Sequence, residues 1–274
     1  MTTEAAVQVL RSDPAWTDLV RDSYLGADVL EAAQRFVESG EFDEVRRLLG
    51  ERLEGARVLD LGAGRGIASY AFASSGARCV VAVEPDPSLH IGRGAISQLR
   101  SRVDIKVVGA VGEQLPLANE SFDIVYVRQT LHHAEDLTRF LRECVRVLRP
   151  GGSLLACREH VVDDDKQLQE FLSAHPVHRL AGGENAYSLD VYITALTNSG
   201  LRVDAVISPW ESVINAFPTI RNQSEVKDLP GRLLVERLGV LGRGLGLIPG
   251  IRPFIRSRLW RSTPGRMYSF LAIK

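Results

Sequence analysis

Cysteine is scarce in this chain. Cys79, Cys144 and Cys157 lie far apart in 274 residues and form no C-x-x-C pair. A disulfide framework and a cysteine-built zinc site are therefore excluded as the basis of the fold, and the thiols read as buried groups in a reducing compartment. Aromatic residues make up 7% of the chain, so a site walled by stacked rings is not expected. No apolar run approaches the ~18 residues of a membrane-crossing helix. The opening MTTEAAVQVLRSDP is polar and mixed in charge, unlike a secretory leader, and a cytoplasmic location follows as the expectation. Charge of one sign is missing too: the formal net charge is −1, which excludes electrostatic binding of nucleic acid by the whole molecule. Repeats and low-complexity segments are absent. What remains, 45% hydrophobic and 24% charged residues, suits a large α/β domain with additions, whose core needs no staple.

The pattern divides the chain into four parts. Residues 1–55 read as a helical lid, with apolar residues at helical spacing from Asp28 to Val37 and from Phe42 to Leu49. Residues 56–208 alternate strand and helix: strands at 57–61, 79–84, 103–108, 122–127, 153–159 and 201–208 imply a parallel sheet with right-handed crossovers. Asp86 and Pro87 look like the N-cap and first residue of the helix after the second strand. Leu137, Phe140, Leu141, Cys144, Val145 and Leu148 trace an amphipathic helix that RPGG stops. Residues 161–187 read as a polar, irregular substrate loop, and Ser188 opens a helix closed by Gly200. Residues 209–266 form a basic insertion, and 267–274 complete a last strand expected at the sheet edge.

The strongest local signal is VLDLGAGRG, in which Gly62, Gly64 and Gly66 follow a buried strand and open a helix. Such a turn lets a ligand approach the backbone, and the helix start adds partial positive charge. Glu84 ends the second strand, where a carboxylate can accept both hydroxyls of a ribose. Two details argue against a dinucleotide. The spacing is G-x-G-x-G rather than G-x-G-x-x-G, and the preceding Asp60 suits an ammonium better than a pyrophosphate.

Joined to VVAVEPD, GEQLPLANESFDIVYV and TLHHAEDLTRFLRECVRVLRPGG, these residues make residues 56–160 resemble the class I S-adenosylmethionine (SAM)-dependent methyltransferases, of the type seen in ubiquinone/menaquinone and small-molecule methylation. The resemblance implies a doubly wound, mostly parallel seven-stranded sheet (a Rossmann-like α/β fold) and SAM as cofactor, released as S-adenosylhomocysteine. It implies that Asp60, Gly62, Gly64 and Gly66 line the methionine part. Glu84 would bind the ribose, Pro85 and Asp86 would flank the adenine, and Val111, Gly112 and Glu113 would cover it. Arg128 and Gln129 would lie near the sulfonium and the substrate. Relatives often carry Asp where this chain has Val111, which leaves the adenine to backbone groups or Glu113.

Methyl transfer needs alignment and exclusion of water, and an oxygen acceptor must also lose a proton. His132 and His133, just past the fourth strand, are the candidate bases, with Glu159 to orient one of them. His175, His178, Glu184, Asn185 and Tyr187 in the loop, and Tyr24 in the lid beside Trp16, are candidates for the substrate side. His175 and His178, three apart, could join Glu184 as metal ligands; no periodic scaffold fixes them, and no metal is expected. Segment 229–266 carries eight arginines (232, 237, 243, 252, 256, 258, 261 and 266) against one acid, Glu236. It suits an anionic membrane surface or a phosphate-bearing acceptor, or serves as a lid or homodimer contact. The reading is an O-methyltransferase of a small molecule, favoured as a sugar, glycan or natural-product hydroxyl. The alternatives are C-methylation of a quinone or lipid precursor at a membrane, and a SAM-binding protein without methyl-transfer chemistry.

Overall fold

The computed structural model describes residues 1–239, 241, 245, 248–251, 254 and 263–274. Strands β1 (Arg57–Leu61), β2 (Cys79–Val83), β3 (Ile105–Val108), β4 (Phe122–Arg128), β5 (Leu148–Val161), β6 (Arg202–Ile207) and β7 (Arg266–Ile273) form one sheet in the order β3-β2-β1-β4-β5-β7-β6. β1 to β5 run parallel, as continuous apolar runs such as Val58-Leu59 and Ile124–Val127 require when both faces are covered. β7 is antiparallel to both β5 and β6. It is therefore inserted between them, not at the edge where the strand pattern places it; the edge strand is β6. The burial of β7 accords with this position. Tyr268, Ser269, Phe270, Leu271 and Ala272 are all buried, and a strand with neighbours on both sides and helices on both faces is covered along such a run.

Before β1 come α1 (Thr3–Ser12), α2 (Thr17–Asp22), α3 (Val29–Val37) and α4 (Gly40–Leu49). Asp28 caps α3 by accepting from the N–H groups of Leu30 and Glu31, at 2.8 and 3.0 Å. Along the sheet follow α5 (Ile67–Ala73), α6 (Arg93–Leu99), α7 (Leu137–Val147), α8 (Asp165–Ala174), α9 (Pro176–Ala181), α10 (Leu189–Asn198), α11 (Val213–Ala216) and α12 (Gln223–Leu238). One face of the sheet packs on α7 and α10 through Val125, Val127, Phe140, Leu141 and Tyr192. The other packs on α3, α4 and α5 through Ile124, Tyr126, Phe36, Phe42 and Phe72. None of the described helices is long and apolar enough to cross a membrane.

Two local expectations change. α6 starts at Arg93, not after Asp86-Pro87, because the Asp86 side chain accepts from Ser88 N–H (2.8 Å) and its carbonyl from Arg93 N–H (2.8 Å), closing a loop instead of capping a helix. The segment 161–187 is not irregular. Asp164 caps α8, accepting from Gln167 N–H, and Pro176 occupies the first turn of α9 behind the His175 cap. Capping side chains thus fold a stretch whose apolar periodicity is weak. Most of the arginine-rich stretch 240–262, with Arg243, Arg252, Arg256, Arg258 and Arg261, lies outside the described residues.

Phe72 is fully buried between α5 and the sheet, with ring centroids 4.9 Å from Tyr126 and 5.5 Å from Phe42. Phe72→Ala is expected to lower stability by about 3–5 kcal/mol, read as a reduced urea midpoint at unchanged m-value.

Candidate active site

The cleft opens at the carboxyl ends of β1, β4 and β5. At the end of β1 the chain reverses through Gly62, Gly64 and Gly66, with φ of 75°, 51° and 78°. Gly62 and Ala63 donate N–H to Val83 O at 2.9 and 3.0 Å, pinning the turn to β2. A Cβ on Gly62 would collide with the Thr130 side chain, so glycine is required there for contact as well as for φ. Glu84 holds the turn from the other side: one carboxylate oxygen accepts from Gly64 N–H (2.8 Å) and the other from Asp86 N–H (2.9 Å). Burial nevertheless raises its pKa.

Asp60 is buried beneath the turn. Its carboxylate accepts from the Ser69 hydroxyl at 2.5 Å and, among the described residues, makes no ion pair. Burial pushes its pKa up to about 6, against the opposing Ser69 hydrogen bond. Arg65, inside the turn, donates to the carbonyls of Tyr24 (2.6 Å) and Ala27 (3.4 Å), and so ties the N-terminal helices over the cleft. Arg11 donates to Leu25 O at 2.6 Å and reinforces the same cover. Tyr24 has φ 58° and packs edge-on to Phe36 at 5.4 Å.

Past β4, Gln129 takes φ 51° and donates N–H to Cys157 O at 2.9 Å. This turn aims Arg128 at Glu41, a fully buried carboxylate of α4, in a two-point contact at 2.6 and 3.1 Å. Burial opposes the Arg128 charge, but Glu41 outweighs it and the pKa rises. β5 carries a bulge between Ala156 and Glu159, with Arg158 at φ 61°. Bulges re-aim side chains. Here Arg158 donates to Ile214 O and Phe217 O (3.0 and 2.8 Å), while Glu159 and His160 reach the histidine cluster.

That cluster gathers four of the six histidines of the chain. Glu159, with no exposure, accepts from Thr130 N–H (3.1 Å), His132 N–H (3.2 Å) and His132 Nδ1–H (2.7 Å). His132 Nε2 lies 3.5 Å from Glu184. Burial would lower the His132 pKa, but the two flanking carboxylates raise it; Glu159 and Glu184 are held low in return despite burial. His133 Nδ1 donates to Gly183 O at 2.9 Å, and its Nε2 is 3.7 Å from Glu184. His160 Nδ1 donates to Gly265 O at 2.8 Å; burial, then the neighbouring His132, pushes its pKa down to about 3. His175 Nδ1 lies 3.8 Å from the other Glu184 oxygen.

Three connected cavities surround these groups. The first, about 310 Å³, is lined by Asp60, the glycine turn, Tyr24, Arg128, His132, His133 and Glu184. The second, about 350 Å³, joins it at Gly62 and His133 and is lined by Pro85, Val111, Gly112 and Glu113. The third, about 490 Å³, shares Arg128, Gln129, His160 and His175 with the first and adds Trp210, Phe217 and Met267.

The structure thus brings together Asp60, Gly62, Gly64, Arg128, Gln129, His132, His133, His175, Glu184 and Tyr24, whereas Gly66 packs against Ile96 and, like Glu84 and Asp86 beneath the turn, lines none of the three cavities. Glu159 stands behind His132 and does not line the cleft. Glu113 accepts from Glu135 N–H at 2.9 Å and so also anchors a loop. Tyr187 turns away and donates to Ala134 O at 3.2 Å, His178 donates its N–H to His175, and His178 and Asn185 line none of the three cavities. Glu41, Arg65 and Arg158 are not singled out by the sequence. Their partners, Arg128 for Glu41, the Tyr24 carbonyl for Arg65 and the Ile214 and Phe217 carbonyls for Arg158, lie dozens of residues away in the chain, so no local pattern marks them.

Asp60 yields a test of its own. Because its folded pKa is raised, the folded state holds the proton more tightly than the unfolded chain. Stability is therefore lost as pH rises from the ordinary carboxylate value through about 6. Asp60→Asn removes this loss. The stability of the variant relative to the parent is expected to grow by about 2 kcal/mol between pH 4 and pH 7, read by urea unfolding; a constant difference would refute the assignment.

Residues 59–156 match the family model described as "Methyltransferase domain". A ubiquinone biosynthesis O-methyltransferase of Agrobacterium fabrum is 32% identical over 136 residues, 49% of this chain and 53% of that one, so the chain spans about half the length of this curated relative. A demethylmenaquinone methyltransferase of Clavibacter sepedonicus is 37% identical over 203 residues, 73% of this chain and 74% of its own length. Among solved structures, a SAM-dependent methyltransferase of Mesorhizobium loti shares the fold with a TM-score of 0.56 at 20% identity, covering 87% of this chain and 100% of that one. With the glycine turn, the strand-end Glu84 and the strand order in agreement, the chain belongs to the class I SAM-dependent methyltransferases.

Proposed function

We propose that this protein transfers the methyl group of SAM to a hydroxyl of a small-molecule acceptor. The observation that carries the reading is the facing of two walls across one cleft: Asp60 and the glycine turn on one side, the histidine–carboxylate cluster on the other. The residues fit the cofactor. The Asp60 carboxylate is buried without an ion-pair partner among the described residues and suits an ammonium. The Glu84 oxygens keep lone pairs for a ribose, and the cavity at Pro85, Val111, Gly112 and Glu113 suits an adenine.

SAM supplies a methyl carbon already activated by its sulfonium, so this chain has to align, exclude water and accept a proton. Arg65 and Arg11 hold the lid helices over the cleft and keep water out. His133 is the proton acceptor: its bond to Gly183 O fixes the proton on Nδ1 and leaves the Nε2 lone pair at the junction of the first two cavities. Glu159 positions His132 and the turn that carries His133. Arg128, neutralised by Glu41, and Gln129 border the acceptor chamber.

The polar rim of His160, His175 and Gln129 supports a hydroxyl-rich acceptor such as a sugar or natural-product intermediate. A second reading, C-methylation of a quinone precursor, is supported by the apolar part of the same chamber, Trp210, Phe217 and Met267, and by the names of the relatives. Product analysis separates the two, since an O-methyl ether and a ring-carbon methyl differ in the carbon-13 shift of the transferred group.

Calorimetry is expected to give SAM and S-adenosylhomocysteine binding and none for NAD. Glu84→Ala and Asp60→Asn should each weaken SAM about 10–100-fold, the worth of a hydrogen bond to a charged group. His133→Gln should leave SAM affinity within about threefold and lower kcat about 10²–10⁴-fold. Binding of NAD in preference to SAM would overturn the reading.

A further inference from the structure

The cluster beyond the glycine turn has more ligand-directed lone pairs than methyl transfer requires. His132 and His160 lie at the ends of different strands, yet each donates its Nδ1–H to an oxygen: His132 to the Glu159 carboxylate at 2.7 Å, His160 to Gly265 O at 2.8 Å. These bonds fix each ring with Nε2 turned inward. The Glu184 carboxylate meets them there, and the three donor atoms lie within 4.8 Å of one another. A carboxylate and inward ring nitrogens repel one another unless a cation sits between them. His132 Nε2 already lies 3.5 Å from Glu184. Histidine ligands of metals characteristically donate their other N–H to a carboxylate or a carbonyl, which is the arrangement found at both rings.

We propose that His132 Nε2, His160 Nε2 and a Glu184 oxygen form a binding site for one divalent first-row transition ion. Two imidazoles and a carboxylate are the donor set of open, catalytic sites, in contrast with closed four-ligand structural ones. The pairing differs from the sequence expectation, which grouped Glu184 with His175 and His178; the structure supplies two buried rings, each anchored from behind. Bonds of about 2.1 Å set tetrahedral donor separations of about 3.4 Å, so donor atoms within 4.8 Å of one another must close by up to about 1.4 Å. Glu184 can follow, because it sits just after Gly182 and Gly183, both at positive φ.

The open positions of the ion face the first cavity, which all three ligands line. If the methyl-transfer reading holds, on which this role alone rests, the ion binds the acceptor hydroxyl oxygen and lowers its pKa. The hydroxyl proton then passes to His133 Nε2. The oxygen lone pair forms the new C–O bond as the C–S bond breaks, and S-adenosylhomocysteine leaves neutral at sulfur.

The test is Co²⁺ titration of tag-free, chelator-stripped protein, followed by visible absorption and by ion content after gel filtration, with SAM binding measured on the same samples. The expected result is one Co²⁺ per chain, displaced by Zn²⁺. The visible band should be lost in His160→Gln while that variant still binds SAM. Should His160→Gln not fold, Glu184→Gln, on the loop, must lose the band in its place. No Co²⁺ binding by a protein that binds SAM, or an unchanged band in both variants, would sink the metal site and leave the methyl-transfer reading standing. Co²⁺ bound at the cluster by a protein that does not bind SAM would keep the site and remove that reading instead.

Discussion

The Glu159 carboxylate sits where β5, the turn after β4 and His132 meet, entirely out of water, and accepts three N–H groups. A buried carboxylate is tolerated only when its oxygens are so satisfied. The condition acts in both directions. The bulge at Arg158 must hold its phase so that Glu159 points inward, and the Gln129–His132 turn must keep its left-handed residue so that its N–H groups point back. Neither half is stable in this form without the other. The position of the cluster relative to the glycine turn follows, because both are built on neighbouring strands of one sheet.

A second buried charge system lies across the sheet. Glu41 faces Arg128 at 2.6 Å and Arg158 at 3.7 Å, and the Arg128 guanidinium lies over the rings of Tyr24 and Phe36. It links α4 to the ends of β4 and β5. The two systems share the backbone of residues 128–132 and 158–160, so the N-terminal helices and the polar wall of the cleft are set by the same short segments.

Much of the molecule can be read from its residues. The alternating strands and helices, the glycine turn and Glu84 are local signals. Burial on both faces of a parallel sheet writes itself into consecutive apolar residues such as VLDL and DIVYV, which is why β1, β2 and β4 are legible almost to the residue. What cannot be read depends on distance. The entry of β7 between β5 and β6 leaves no local trace, since an edge strand and an inserted antiparallel strand carry similar short patterns. α8 and α9 are held by caps at Asp164 and His175 more than by an apolar stripe. At the site, the glycine turn and the strand-end Glu84 are legible from motif and spacing. The other side is legible only as a set of polar residues: that Glu184 meets His132 and His160, while Tyr187 turns to Ala134, is fixed by the bulge and by two glycines, not by spacing.

The insertion of β7 also bears on how the molecule is made. Ser153 pairs with Ile273, more than a hundred residues later, and His160 finds its anchor at Gly265. Contacts of such separation carry a large loop-closure entropy and form late. The strands that bear the glycine turn are close in sequence and need no such closure. Half of the cleft is therefore a short-range product of the chain and half a long-range one, and during synthesis a segment able to form the first exists well before the residues that complete the second.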